Sequence, residues 1–586
     1  MNRSIAIYLL FPFLLSAEIP QKSAEAVISA FSGLSVSKRH LTPHLLEIAK
    51  NGMNLPANDR IALEALGFNF SSSLVSRIGI NRPEANGLDK FYDSGFFRFH
   101  YTTTGWQHAV PLTDDDASGI PDYIESMANI FNHVAQELHE NQGYIRPPGD
   151  GYYSGNLDKG GSDHYDIYVR ELPSRYYAYT QPEDFAQGKG DNEKSKLIVE
   201  MNAFTSYMAM RNNYKNFPLE EMENIKVSAA HEYFHAIQFG YDGWEMPWIL
   251  EASAVWIEEE IYDEINDCYQ YMQDWFEQPD RALDESGFHW YGSFIFFEYI
   301  EQHMGGTESI RIIFEESVKA DSRKRDGSHA AIDASLNQQG YSFQHALNGM
   351  SIANKIMSSL PVEGNYIYEE AEAYPVDGPA IFRTVNFQTG KQDTVYSTSL
   401  DRFASQYIQV ITQLPVLIDL INNSGSLSDL QLNAILRKKD DSFMIISSPS
   451  INIDPIDLKS IHLSVVSQDT FSGNWDYSLA IQDGKPGITN ANVPVEFKIA
   501  NPYPNPFNGG LKFSVYMMKE APVSINIIDL SGKQVKRLHS GKLTAGNHNF
   551  SWYGIGALGD RVSSGVYYIK VSGKHTQDWR PITYIK

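Results

Sequence analysis

The sequence has a single cysteine, Cys268, so no intrachain disulfide can form. Positive charge is also scarce: 47 basic residues face 72 acidic ones, a formal net charge of -25 over 586 residues. A surface of that sign is not built to neutralise phosphates or anionic lipid headgroups, which excludes nucleic acid as a partner. Long apolar runs are missing as well. The run Ile5 to Leu15 is too short to span a bilayer at about 1.5 Å per residue, and no later stretch reaches the roughly 18 apolar residues of a transmembrane helix. With Arg3 before it and Ser16-Ala17-Glu18 after it, this run has the form of a signal peptide over residues 1–17. The expected product is an exported chain whose stability comes from packing and bound metal.

The chain is rich in core-forming residues, at 42% apolar and 13% aromatic, and is long enough for several domains. Residues 18–94 carry weak helical patterning, at Leu45, Leu46, Ile48 and Ala49 and again at Ile61, Leu63 and Leu66, without any chemical constellation. This segment is read as a propeptide or an N-terminal cap. From Phe96 the pattern sharpens into a strand at Phe97–Tyr101, a helix with apolar positions Ile124, Met127, Ile130, Phe131, Val134 and Leu138, and strands near Tyr165–Val169 and Leu197–Met201. Strands followed by helices predict an α+β unit over 95–358. Short β-type runs then dominate 359–487, which predicts a β-sandwich, and a Gly/Pro linker leads to a further β-domain over 488–586.

His231-Glu232-Tyr233-Phe234-His235 fits H-E-x-x-H within a stretch bounded by Pro218 and Gly240 that reads as a helix. Two imidazoles four residues apart point from one helical face and can meet one metal ion. Tetrahedral zinc needs a third protein ligand, and Glu251, on the next apolar helix, is the candidate. A second cation loop is written in Asp114-Asp115-Asp116-Ala117-Ser118-Gly119-Ile120-Pro121-Asp122-Tyr123-Ile124-Glu125. Asp114, Asp116, Ser118, Asp122 and Glu125 hold the oxygen positions of a twelve-residue calcium loop, with Gly119 at the sharp turn and the Ile120 carbonyl as a further ligand. The competing reading is an acidic turn that caps the following helix.

These residues resemble the gluzincin group of zinc metallopeptidases, in which H-E-x-x-H is followed by E-G/A-x-A-x-aromatic-x-E; here that segment is Glu251-Ala252-x-Ala254-x-Trp256-x-Glu258. The resemblance covers residues 95–350. It implies a zincin-like catalytic domain, zinc on His231, His235 and Glu251, a protein or peptide substrate, and Glu232 as the base that takes a proton from the attacking water and passes it to the leaving amine. A thermolysin-like member also has an orienting acid one turn after the third ligand; Val255 stands there, so the residues behind the ligands are unassigned. Tyr291, with His289 as its rival, resembles the group that stabilises the oxyanion, although such an aromatic cluster also suits core packing. The other function class is a surface adhesin or glycan-binding protein with a structural metal.

Pro502-Tyr503-Pro504-Asn505-Pro506-Phe507-Asn508, together with Trp552 and Gly559-Asp560-Arg561-Val562-Ser563-Ser564-Gly565-Val566-Tyr567-Tyr568, resembles the type A C-terminal sorting domain of the type IX secretion system. That domain overlaps the immunoglobulin-like module of flagellar hook-capping proteins. The resemblance implies a β-sandwich of about seven strands, the secretion machinery as partner, and a destination outside a Gram-negative cell or on its outer surface.

Overall fold

The computed structural model describes residues 11–32, 41–70, 79–80, 82, 85–149, 160–173, 176–186, 200–320, 327–388, 390–424, 429–468, 474–491, 497–518, 520–529, 533–557, 559–573 and 577–586. The first ten residues of the expected leader and most of the expected strand at Leu197–Met201 lie outside this set. Helix α1 (Phe11–Phe31) runs through the Ser16-Ala17-Glu18 junction. Helix α2 (Thr42–Asn51) starts with a proline in its first turn, and helix α3 (Ala57–Ala65) follows. Strands β1 (Phe68–Asn69) and β2 (Gly79–Ile80) then pair antiparallel. Leu45 and Ile48 of α2 join Ala24, Val27 and Leu63 in a small core completed by Leu172, Tyr179 and Ala209 of the main α+β unit. Leu46 and Ala49, on the other side of α2, belong to the large core. The helix is therefore packed on two sides, as its paired apolar positions require.

The main sheet contains β3 (Lys90–Ser94), β4 (Phe97–Tyr101), β5 (Tyr165–Arg170), β6 (Ala178–Phe185) and β7 (Phe204–Arg211), in the order β3-β4-β5-β7-β6. β4, β5 and β7 run parallel, while β3 and β6 are antiparallel edges. Nearly every residue of β5 and β7 is buried, the mark of strands covered on both faces. Helix α4 (Asp122–Gln136) makes the crossover from β4 to β5, burying Ile124, Met127, Phe131 and Val134 at helical spacing. β3 begins the sheet inside the segment assigned to the N-terminal cap. It is mostly exposed, so it lacks the apolar alternation that marks a strand in sequence.

Helix α5 (Glu221–Tyr241) is closed at its start by a capping box between Glu220 and Glu223. Almost every residue from Asn224 to Tyr241 is buried, so it runs through the middle of the core with no solvent face. Helix α6 (Pro247–Ile261) packs beside it and is buried from Trp248 to Glu259. Further helices continue to Ile356. Residues 368–374 still belong to this unit, since Tyr368, Ala371 and Tyr374 lie in its core. The boundary thus falls near the strand Ile381–Asn386, later than residue 358.

Two five-stranded sheets form the middle β-domain around a core that includes Ile408, Leu432, Leu463 and Leu479. The strand Asn490–Ala491 pairs with Ser450–Ile453, so this domain extends a few residues past 487. Sheets of three and four strands form the last domain, matching the expected seven. Its opening Phe507 packs on Trp552 and Tyr584, with ring centroids 5.5 and 5.1 Å apart, which joins the two ends of the segment singled out in sequence.

The N-terminal segment is also tied to the sheet by charge. Arg82 donates from Nε and Nη2 to both carboxylate oxygens of Glu183 (3.0 and 2.8 Å) and from Nη1 to Asp166 (2.6 Å). Arg82 is 5% exposed and both acids 2%. Truncating one partner of a buried ion group leaves uncompensated charge in a poorly solvated place. Arg82→Met is expected to destabilise the α+β unit by about 3–5 kcal/mol, read as a lowered urea midpoint; an unchanged midpoint would mean that the acids find other compensation.

Candidate metal centre

His231 and His235 stand one turn apart on α5, with their Nε2 atoms 3.1 Å from each other. Glu251 of α6 faces both, its oxygens 3.5 Å from His231 Nε2 and 3.3 Å from His235 Nε2. Behind each ring is an acceptor. His231 Nδ1 donates to Glu258 Oε1 at 2.6 Å, and His235 Nδ1 donates to Gln238 Oε1 at 2.8 Å. The Gln238 amide cannot be turned around, because its Nε2 donates to the Leu250 carbonyl (3.0 Å) and to Ser253 Oγ (2.9 Å). Each neutral imidazole thus keeps its proton on Nδ1 and presents an Nε2 lone pair. Two lone pairs and a carboxylate converge in a space where His235 and Glu251 are each 1% exposed. Only a cation or a proton satisfies that arrangement.

A proton and a cation compete for that space. Burial works to lower the His231 pKa, but Glu251 and Glu258 overcome it and hold it well above the usual histidine range. Burial likewise works against the Glu251 carboxylate, and the two histidines hold its pKa well below the ordinary value. The donor set, two imidazole nitrogens and one carboxylate with a hydrogen-bonded partner behind each ring, suits zinc with a fourth position left over.

Glu232 lies on the same helix, 6% exposed. Its Oε2 accepts from Thr42 Oγ1 at the start of α2 at 2.9 Å, and Thr180 Oγ1 on β6 shares its one proton between that oxygen (2.9 Å) and the Glu232 backbone carbonyl (2.7 Å). Thr42 Oγ1 also accepts the Thr180 backbone N–H at 3.0 Å, on the outer side of edge strand β6. Tyr291 is 2% exposed, and burial followed by the Glu251 charge raises its phenol well above the ordinary range. His289 instead lies against Trp275, centroids 4.3 Å apart, and burial followed by Arg281 pushes it down to about 3. Of the two rivals, Tyr291 is the one that senses Glu251.

In the acidic loop, carboxylate oxygens of Asp114, Asp116 and Asp122 lie within 4.8 Å of one another. Ser118 N–H donates to Asp114 and Asp116 (2.9 and 3.0 Å), and Ser118 Oγ donates to the Ile120 carbonyl at 3.3 Å. Gly119 takes φ +86°, a conformation that side chains resist. Glu125 stands in the first turn of α4, outside the three converging carboxylates. Asp122 Oδ1 accepts the Asp115 N–H at 3.1 Å.

Residues 503–577 match the FlgD Ig-like domain. The match falls on the seven-stranded last domain, which is therefore immunoglobulin-like. No curated protein matches the chain. Among solved structures, PorZ of Porphyromonas gingivalis, an essential bacterial surface component of the type-IX secretion system, is similar over 18% of this chain and 14% of its own, at 21% identity and a TM-score of 0.12. Dimeric latent PorU from the same organism is similar over 30% of this chain and 18% of its own, at 12% identity and a TM-score of 0.17. A β-1,2-glucanase from Parabacteroides distasonis gives 30% and 28%, at 11% identity and a TM-score of 0.12. The chain thus spans less than a third of the length of each, and overlaps this slight carry no argument. Among the described residues no helix is long and apolar enough to cross a membrane.

Four side chains at the centre were not assigned from sequence. Glu258 sits seven positions after Glu251, two helical turns along the same face, and does the work that Val255 cannot. Gln238, three positions after His235, had the same kind of signal. Thr42 and Thr180 had none, being 190 and 52 residues from Glu232.

Proposed function

We propose that the chain is an exported zinc-dependent endopeptidase with a zincin-like α+β domain, whose last domain addresses it to the type IX secretion machinery of a Gram-negative cell. The observation that carries the reading is the pair of Nε2 lone pairs 3.1 Å apart, each fixed from behind and both faced by Glu251. His231, His235 and Glu251 would hold zinc, which when bound acts as a Lewis acid toward the scissile carbonyl and lowers the pKa of water.

The remaining work falls to the chain's own groups. Glu232 takes a proton from the attacking water and delivers it to the leaving amine nitrogen, with Thr180 Oγ1 holding the carboxylate in position. Tyr291 donates its hydroxyl to the oxygen on which negative charge develops; burial keeps the phenol protonated and therefore a donor. The outer side of β6 beside Glu232 is covered by Thr42 of α2, and an extended peptide could pair with it once α2 has left. The Asp114, Asp116 and Asp122 loop is proposed to hold calcium, with the Ile120 carbonyl as a further ligand, and to brace the start of α4.

The test is metal removal. Purified protein should carry one zinc per chain and, after a cut upstream of Arg82 has released α1–α3, cleave unfolded casein, lose cleavage when a chelator strips the zinc, and regain it when zinc returns. Zinc present without cleavage in any form would favour a structural metal in a surface binding protein; no zinc would end the proposal.

A further inference from the structure

Past the zinc-ligand pair, the far end of α6 gathers a second group of acids. Ligand oxygens of Glu259, Asp263 and Glu370 lie within 4.8 Å of one another. Glu259 belongs to the last turns of α6, Asp263 to the turn that follows, and Glu370 to the segment leading to the middle β-domain. Acids near one another on a surface imply nothing, since water and counterions solvate them. Here solvation is withheld from the central member. Glu259 is only 9% exposed, and its Oε1 has no hydrogen-bond partner. Its Oε2 accepts only the Cys268 thiol, at 3.1 Å.

Burial, then Glu370, Asp263 and Glu258, raise Glu259 to about 8 against the pull of the Cys268 thiol, and none of these neighbours is cationic. Glu298 close by is raised well above its ordinary range by burial and then by Glu259, Glu301 and Glu260. A buried carboxylate with an orphaned oxygen and two acids beside it either shares a proton or binds a cation.

We propose that Glu259, Asp263 and Glu370 form a calcium site that clamps the end of α6 to the segment carrying Glu370. The donors are hard oxygens, and the open side at Asp263 leaves room for the waters that complete a calcium shell. The sulfur beside the cluster, that of Cys268, donates its thiol to Glu259 Oε2 and is engaged in that bond. Tyr269 donates to Glu370 Oε2 at 2.7 Å, which leaves the other oxygen of Glu370 for the ion. Glu258, the residue next to Glu259, holds the His231 ring, so an ion here steadies the backbone that aims it. This inference does not depend on the peptidase reading.

The experiment is calorimetric titration of the calcium-stripped full-length chain with calcium alone. The acidic loop at 114–122 is removed from the count by Asp114→Asn with Asp116→Asn. That variant should still bind one calcium per chain, and its melting temperature should rise when calcium is added. Adding Asp263→Asn and Glu370→Gln should abolish both effects while leaving bound zinc unchanged. No calcium bound by the loop variant, or binding that survives the added substitutions, would overturn the site and leave a proton on Glu259 in its place. Should the fourfold variant not fold, terbium luminescence in the loop variant, excited through Tyr269 and quenched by calcium, decides the matter; no sensitised emission would also overturn the site.

Discussion

Glu232→Gln should leave the zinc content unchanged and lower casein cleavage by about 10²–10⁴-fold, the usual worth of a positioned general base. The substitution keeps the size of the side chain and an oxygen that can accept from Thr42 and Thr180, so α5 has no reason to move. It leaves His231, His235 and Glu251 untouched. What it removes is the carboxylate that accepts a proton from water. The loss should fall on kcat, because glutamine can still position water but cannot deprotonate it. Cleavage that survives the change with zinc in place would assign the base elsewhere, and zinc lost from the variant would mean that Glu232 helps hold the ion.

The second large effect is on affinity. Glu258→Ala should weaken zinc binding by about 10–100-fold, the range typical of a residue that orients a ligating histidine. Without Glu258, His231 loses the carboxylate that keeps its proton on Nδ1, and its ring is free to turn or to carry the proton on Nε2. Glu258→Gln retains an acceptor and should recover part of the loss. That graded series, measured by competition with a chromophoric chelator, separates orientation from packing. An alanine variant with unaltered affinity would show that α6 packing alone fixes the ring.

Much of the centre was legible because it lies on two helices. Helical periodicity puts His231 with His235 and Glu251 with Glu258 on single faces, and a short H-E-x-x-H then needs only one more carboxylate. Periodicity gives a face but not a distance across to the next helix. That is why Glu258 could be seen in the motif and still not be matched to His231. Alternation likewise exposes the sandwich strands: Leu511–Met517 buries every second residue. It fails for β3, which is an exposed edge, and for residues 368–374, which pack in a core without regular structure. Arg82 with Glu183 and Thr42 with Glu232 join positions 101 and 190 residues apart, and no local pattern reports such pairs.

The hydroxyl of Thr42 takes a backbone N–H from edge strand β6 with its lone pair and gives its proton to Glu232. Seen from the centre, one small side chain stands in for two visitors: a peptide carbonyl, which would accept that N–H, and a water, which would donate to that carboxylate. While α2 stays seated, both of those positions are taken. A cut upstream of Arg82 that let α1–α3 leave would spare the ion group on Asp166 and Glu183, and the vacated spot would already be shaped as an acceptor site beside a donor site. The guard and the guest read the same address.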